Sequence, residues 1–135
     1  MSEPVAAVRG IVFTHGRMAE GMVDAVRTIA GTPEEALVPL SNEGRGPESL
    51  MDELDRLAGD APAVIFTDLQ SGSCAMAARL SCRGRAPRAV VCGANLPMLL
   101  DFVFNREMPL DALVVRLVES GRKGIQALPA PSEAP

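Results

Sequence analysis

The chain has 135 residues, 47% of them hydrophobic but with no Trp or Tyr and only four Phe, and 13 Lys plus Arg against 17 Asp plus Glu give a formal net charge of −4. That length fits one compact domain with an aliphatic core. The acidic balance and the missing aromatic platforms argue against nucleic acid as a partner, and no apolar run reaches the roughly 20 residues that span a bilayer.

Met1 to Phe13 carries no basic region ahead of a long apolar segment and no small-residue cleavage pattern, so a cytoplasmic location is expected. Cys74, Cys82 and Cys92 are odd in number and lack a CxxC spacing. They read as small buried hydrophobes in a reducing compartment, and neither a disulfide, a metal nor a cofactor is expected.

Val5 to Thr14 is rich in Val and Ile and reads as a strand buried on both faces, ended by His15-Gly16. Arg17 to Ala30 follows as a helix with Met18, Met22, Val26, Ile29 and Ala30 on its apolar stripe and Gly31 as its cap. Both methionines are expected in the core. Ala36 to Leu40 fits a second strand and Ser41 to Gly46 a loop. Pro47 opens a second helix that buries Leu50, Met51, Leu54 and Leu57 and closes at Gly59.

Ala63 to Thr67 repeats the strand pattern and ends at Asp68, after which Gln70-Ser71-Gly72-Ser73 turns into a helix running to about Cys82. Arg83 to Pro87 is a connecting loop and Arg88 to Cys92 a fourth strand stopped by Gly93. Leu96 to Asn105 and Leu110 to about Ser120 are expected helices. Ile125 to Leu128 is too short to assign alone, which leaves one domain over residues 1–128 and a Pro- and Ala-rich tail over 129–135 that reads as disordered.

Apolar strands alternating with helices predict an α/β fold, doubly wound, with a mostly parallel sheet covered by helices on both faces. Ligands of such sheets sit beyond the carboxyl ends of the strands, where the strand order reverses. Two strand ends offer reactive groups there, His15 after strand one and Asp68 after strand three. Imidazole is both a nucleophile and a good phosphoryl leaving group near neutral pH. A carboxylate that accepts the proton of one ring nitrogen leaves the other as a lone pair aimed at phosphorus.

The amides of Ser71, Gly72 and Ser73, at a helix start, offer a cradle for phosphoryl oxygens. Gly16 lets a partner's backbone come close. Taken singly, His15 as a hydrogen-bonded structural residue, Asp68 as a turn residue and Ser73 as an N-cap are the plainer readings. Jointly, three polar groups at adjoining strand ends suit one chemical task.

Thr14-His15-Gly16-Arg17-Met18-Ala19-Glu20-Gly21-Met22, then Asp68-Leu69-Gln70-Ser71-Gly72-Ser73, then Asn95-Leu96-Pro97-Met98, with their separations, resemble the mannose-type enzyme IIA family of the bacterial phosphoenolpyruvate:sugar phosphotransferase system. The resemblance implies that His15 takes a phosphoryl group from the phosphocarrier HPr and gives it to a histidine of a IIB component for sugar uptake, with Asp68 orienting the ring. It implies a homodimer that exchanges a carboxy-terminal strand, which would employ Ile125 to Leu128. Gly16 and Asn95 are its candidate partner contacts. Membrane components would be reached only indirectly, through separate proteins.

Two departures stand out: serine at Ser71 where the family has glycine, and cysteine at Cys74 where it has proline. Serine enters positive-φ conformations less freely than glycine, so an altered loop is expected there. A regulatory carrier without transport, and the phosphoryl-donor subunit of a dihydroxyacetone kinase, are the alternative functions. Asn95-Leu96-Pro97-Met98 argues against the kinase subunit. A receiver domain phosphorylated on Asp68 is disfavoured, because Thr14-His15 occupies the place of the acidic pair that would hold magnesium.

Overall fold

The computed structural model describes residues 7–83 and 87–132. Within them the elements run β1 (Arg9–Thr14), α1 (Met18–Ala30), a short 3₁₀ turn (Glu34–Ala36), β2 (Leu37–Ser41), α2 (Pro47–Ala58), β3 (Ala63–Thr67), α3 (Ser73–Ser81), β4 (Arg88–Cys92), α4 (Leu96–Val103) and α5 (Leu110–Lys123). All three strand pairings are parallel and the order is β2-β1-β3-β4. The direction of winding therefore reverses between β1 and β3, as the doubly wound reading requires.

Alternation along the strands divides the core into two layers. Val12, Val64, Phe66 and Val91 pack with α1, α4 and α5 on one face, where the Phe66 and Phe102 rings meet edge to face at 5.2 Å. Ile11, Phe13, Ala63 and Ile65 pack with α2 and α3 on the other. Gly10 sets how closely α4 approaches: a Cβ there would lie 2.5 Å from Cε2 of Phe102 and 2.7 Å from Cδ1 of Leu37. The start of β4 is fixed by Arg88, whose side chain is 1% exposed and donates to Asp55 Oδ1 at 2.6 Å and to the Ser81 carbonyl at 3.0 Å.

The expected elements are all present, with β3 and β4 matching residue for residue, but β1 starts at Arg9, Ala36 belongs to the 3₁₀ turn before β2, and α2 buries Leu50, Leu54 and Ala58 while Met51 and Leu57 are half-buried. In α1 the buried residues are Ala19, Val23 and Val26, while Met18 is 45% and Ile29 62% exposed. The apolar stripe is rotated by one residue. Small Ala19 and β-branched Val23 bring α1 close to its neighbours, whereas a stripe through Met18 would hold the helix further out. Met22 is half-buried against that core layer, as expected.

The helix predicted to reach Asn105 ends at Val103, where Asn105 turns its side chain back to the Asp101 carbonyl at 2.8 Å. The next helix runs past Ser120 to Lys123, with Arg122 and Lys123 complementing its carboxyl end. Cys74 is buried, Cys82 and Cys92 are half-buried, and all three are free thiols. Ile125 to Leu128 forms no regular element, and Ile125 and Leu128 are exposed. Of the remaining expectations, Val5 and Ala6 of strand one, residues 84–86 of the loop before β4 and residues 133–135 of the tail lie outside the described residues.

Asp101 joins α4 to α5. It accepts from Arg116 Nε at 2.9 Å and Nη2 at 3.0 Å, and from Ser120 Oγ at 2.6 Å. Burial pushes its carboxyl up, but the hydrogen bonds from Arg116 and Ser120 and the guanidinium charge outweigh it and hold the group below its ordinary value. A carboxylate held low stabilises the fold above its unfolded-state value, and that contribution is lost as pH falls through the folded value. Asp101→Asn should therefore melt below the wild type at neutral pH, with the gap closing as pH drops below about 4 in thermal melts run across pH.

Candidate functional site

In the β1–β3 register Phe13 pairs with Thr67, so Thr14 faces Asp68 and His15 lies one step beyond the sheet. The chain leaves β1 through Gly16 at a φ of 57°, a left-handed conformation that favours glycine. It leaves β3 through a turn in which Thr67 Oγ1 donates to the Leu69 carbonyl at 2.8 Å. These two exits bring together side chains 53 positions apart in sequence.

Asp68 Oδ2 accepts the backbone N–H of His15 at 3.1 Å and lies 2.9 Å from ring Nδ1. Its other oxygen accepts the Leu69 amide at 3.0 Å. Burial raises the Asp68 carboxyl, but the bonds from the His15 backbone and ring and the ring's charge outweigh it, so the net shift is downward and the group is held ionised. An ionised carboxylate can only accept, so in the neutral ring Nδ1 carries the proton and Nε2 keeps its lone pair. The imidazole is 42% exposed and the Asp68 side chain 11%, which leaves the ring reachable and its anchor shielded.

Nε2 faces the loop before α3. Gly72 is the N-cap there, with φ 95°, and a Cβ on it would lie 3.7 Å from Cε1 and 3.9 Å from Nε2 of His15. Any side chain at this position would cover the edge of the ring that carries the lone pair. No side chain caps α3, so the first amides of the helix that starts beside the ring have no side-chain partner. Among the described residues no residue other than glycine has a positive φ, so Ser71 fits its turn without strain. The left-handed step falls on Gly72.

Two neighbours of the site carried no individual signal in the sequence. Ser41 Oγ donates to the Gly16 carbonyl at 2.7 Å, and Asn42 Oδ1 accepts the Gly16 amide at 3.3 Å. Both stand at the carboxyl end of β2, so the expected loop after strand two is also the clamp on the His15 turn. Asn95, expected as a partner contact, has its side chain committed within the fold. Its Oδ1 caps α4 through the Met98 amide at 3.1 Å, and its Nδ2 donates to the Gly121 carbonyl at 2.8 Å.

Cys74, in the first turn of α3, places Sγ 3.9 Å from His15 Nδ1. Burial, with the Asp68 charge beside it, pushes the thiol up to about 11, so it is neutral and not itself a nucleophile at neutral pH. His15, Asp68 and Cys74 are also the residues that could hold a metal ion, their donor atoms all lying within 4.8 Å of one another. The arrangement as a whole is an oriented, exposed imidazole facing uncapped amides, suited to accepting an anionic electrophile.

Residues 10–117 match the family EIIA-man, described as PTS system fructose IIA component. The PTS system mannose-specific EIIAB component of Escherichia coli strain K12 is 29% identical over 126 residues, which covers 89% of this chain. The chain spans only 39% of that relative's length. Among solved structures, the phosphotransferase system component EIIA from Streptococcus agalactiae superposes with a TM-score of 0.82 at 24% identity, covering 90% of this chain and 97% of that one. The mannose/sorbose specific IIA subunit from Enterococcus faecalis gives 0.80 at 23% identity, covering 95% and 99%.

The geometry makes a spectroscopic prediction. Nitrogen NMR of the neutral ring should show the proton on Nδ1, and Asp68→Ala should abolish that preference in a protein that still folds, with a lowered melting temperature at neutral pH. A proton found on Nε2 in the wild type would contradict the orientation described.

Proposed function

The chain belongs to the EIIA-man family of PTS IIA components, and on that premise we propose that His15 carries a phosphoryl group on Nε2, received from phosphorylated HPr and passed to a histidine of a IIB component. The observation that carries this reading is the 2.9 Å contact between Asp68 Oδ2 and His15 Nδ1, which leaves Nε2 as the free lone pair beside Gly72.

In the accepting step the Nε2 lone pair forms the new N–P bond as the N–P bond to the donor histidine breaks and its electrons return to the donor ring. His15 becomes a phosphorylated imidazolium that keeps its Nδ1 proton. The Asp68 carboxylate neutralises the positive charge, as the aspartate of a hydrolase triad does for its histidine. The amides at the start of α3 face the phosphoryl oxygens, and the helix dipole adds to their attraction. Donation to IIB runs the same step in reverse.

Exposed apolar side chains on the elements that flank His15 and Asp68 support a protein as the partner. Met18, Leu69 and Met76 are 45%, 56% and 61% exposed. A groove of about 190 Å³ runs between α2 and α3, with Asn42, Met51, Ser73, Met76 and Leu80 among its lining residues. Clustered exposed apolar side chains of this kind mark contact surfaces. We place the carrier in the cytoplasm, with membrane components reached only through IIB, and no helix of the described residues is long and apolar enough to cross a membrane. A homodimer using the exposed Ile125 to Leu128 stretch belongs to the same proposal.

Incubation with phosphoenolpyruvate, enzyme I and HPr should label the protein with an acid-labile, base-stable phosphate that is absent in His15→Ala. Asp68→Ala should slow transfer by about 10²- to 10⁴-fold, the scale of losing an orienting carboxylate. Acid-stable label, or unchanged label in His15→Ala, would overturn the reading. Light scattering should give the mass of a dimer, and a monomer at micromolar concentration would count against strand exchange.

A further inference from the structure

Phosphoryl transfer makes no use of Cys74, yet its sulfur lies against the very ring nitrogen that Asp68 holds. Nδ1 is 2.9 Å from Asp68 Oδ2 and 3.9 Å from Cys74 Sγ, and the three donor atoms all lie within 4.8 Å of one another. Imidazole nitrogen, carboxylate oxygen and thiolate sulfur are the donor types that zinc selects. Tetrahedral zinc, with bonds of about 2.0–2.3 Å, holds its ligand atoms roughly 3.3–3.7 Å apart. The separations to Nδ1 straddle that range and the third pair lies within 4.8 Å, so side-chain movements of about an ångström would bring the three donors onto one ion.

We propose that His15, Asp68 and Cys74 form an inhibitory site for a thiophilic divalent cation of the zinc class, which turns off phosphoryl acceptance by reversing the tautomer of His15. The ion takes the Nδ1 lone pair in the place where the metal-free ring holds its proton. A neutral imidazole has one ring proton, and with Nδ1 on the metal that proton resides on Nε2. The Cys74 thiol releases its proton to solvent as the sulfur–metal bond forms. Nε2 is then an N–H group with no lone pair for phosphorus, and the ring must lose that proton before it can react.

The effect on transfer rests on the carrier reading above, whereas the metal site rests on geometry alone. Titration of the whole protein with Co²⁺ should raise a thiolate-to-cobalt charge-transfer band that saturates near about one equivalent. The band should persist in Cys82→Ala and Cys92→Ala and vanish in Cys74→Ala. Cys74→Ser, which keeps the side-chain volume, serves the same purpose should the alanine variant fold poorly. With Zn²⁺, ring nitrogen NMR should move the His15 proton from Nδ1 to Nε2.

In single-turnover transfer from purified phospho-HPr, Zn²⁺ should slow the wild type by about a hundredfold or more, the scale of a wrongly held tautomer. A chelator should restore it, and Cys74→Ser should be insensitive. A band that survives loss of the Cys74 sulfur, or equal zinc sensitivity in both proteins, would overturn the proposal. If the metal-free protein accepts no phosphoryl group at all, the carrier reading fails, and the cobalt band with the ring tautomer still decides the site.

Discussion

The hydrogen bonds that Asp68 makes to His15 are the constraint on which the site depends. One carboxylate oxygen takes both the backbone amide and the ring of His15, so the same group fixes where the chain leaves β1 and which ring nitrogen stays free. The carboxylate can be held ionised in a shielded position because these donors outweigh the cost of its burial. They exist because β1 and β3 are neighbours. A different strand order would leave the aspartate short of its partner and the imidazole free to turn.

Around this bond the sheet acts as a rigid frame. The five residues of β3 are buried throughout, and the six of β1 are buried from Gly10 onward. The ends that carry His15 and Asp68 are therefore held by both core layers at once. Mobility is left to the polar turns, and each of those is tied down locally: Gly16 by Ser41 and Asn42, and the turn after β3 by Thr67. Preorganisation of this kind lets a side chain meet an incoming group without first paying to order itself.

The loop before α3 shows how a departure from a familiar pattern is absorbed or put to use. Serine at 71 is tolerated because the positive φ falls one residue later, on Gly72, where absence of a side chain also keeps the ring edge open. Cysteine at 74 is different, because the first turn of α3 points its sulfur at His15 Nδ1. A buried thiol in that place adds a second ligand-type atom to the nitrogen that controls the tautomer, and couples the ring to whatever engages sulfur.

The sequence by itself determined the elements, the α/β class, and the end of the sheet at which the reactive groups would lie. Those properties are written in local signals: apolar runs, helical periodicity, Gly and Pro at element ends. It also singled out His15 and Asp68, not by either alone, where a structural or turn role is the plainer reading, but by their joint place at adjoining strand ends. Only the tertiary structure decided the phase of α1, where two overlapping apolar stripes were available and docking chose Ala19 and Val23 over Met18. Only it decided that Asn95 is a helix cap, that Ser41 and Asn42 clamp Gly16, and that Cys74 touches the ring. The physical reason is common to all but the local cap of Asn95: periodicity shows which residues can face a core, but the direction of a side chain toward one 25 to 59 positions away depends on strand register and helix docking.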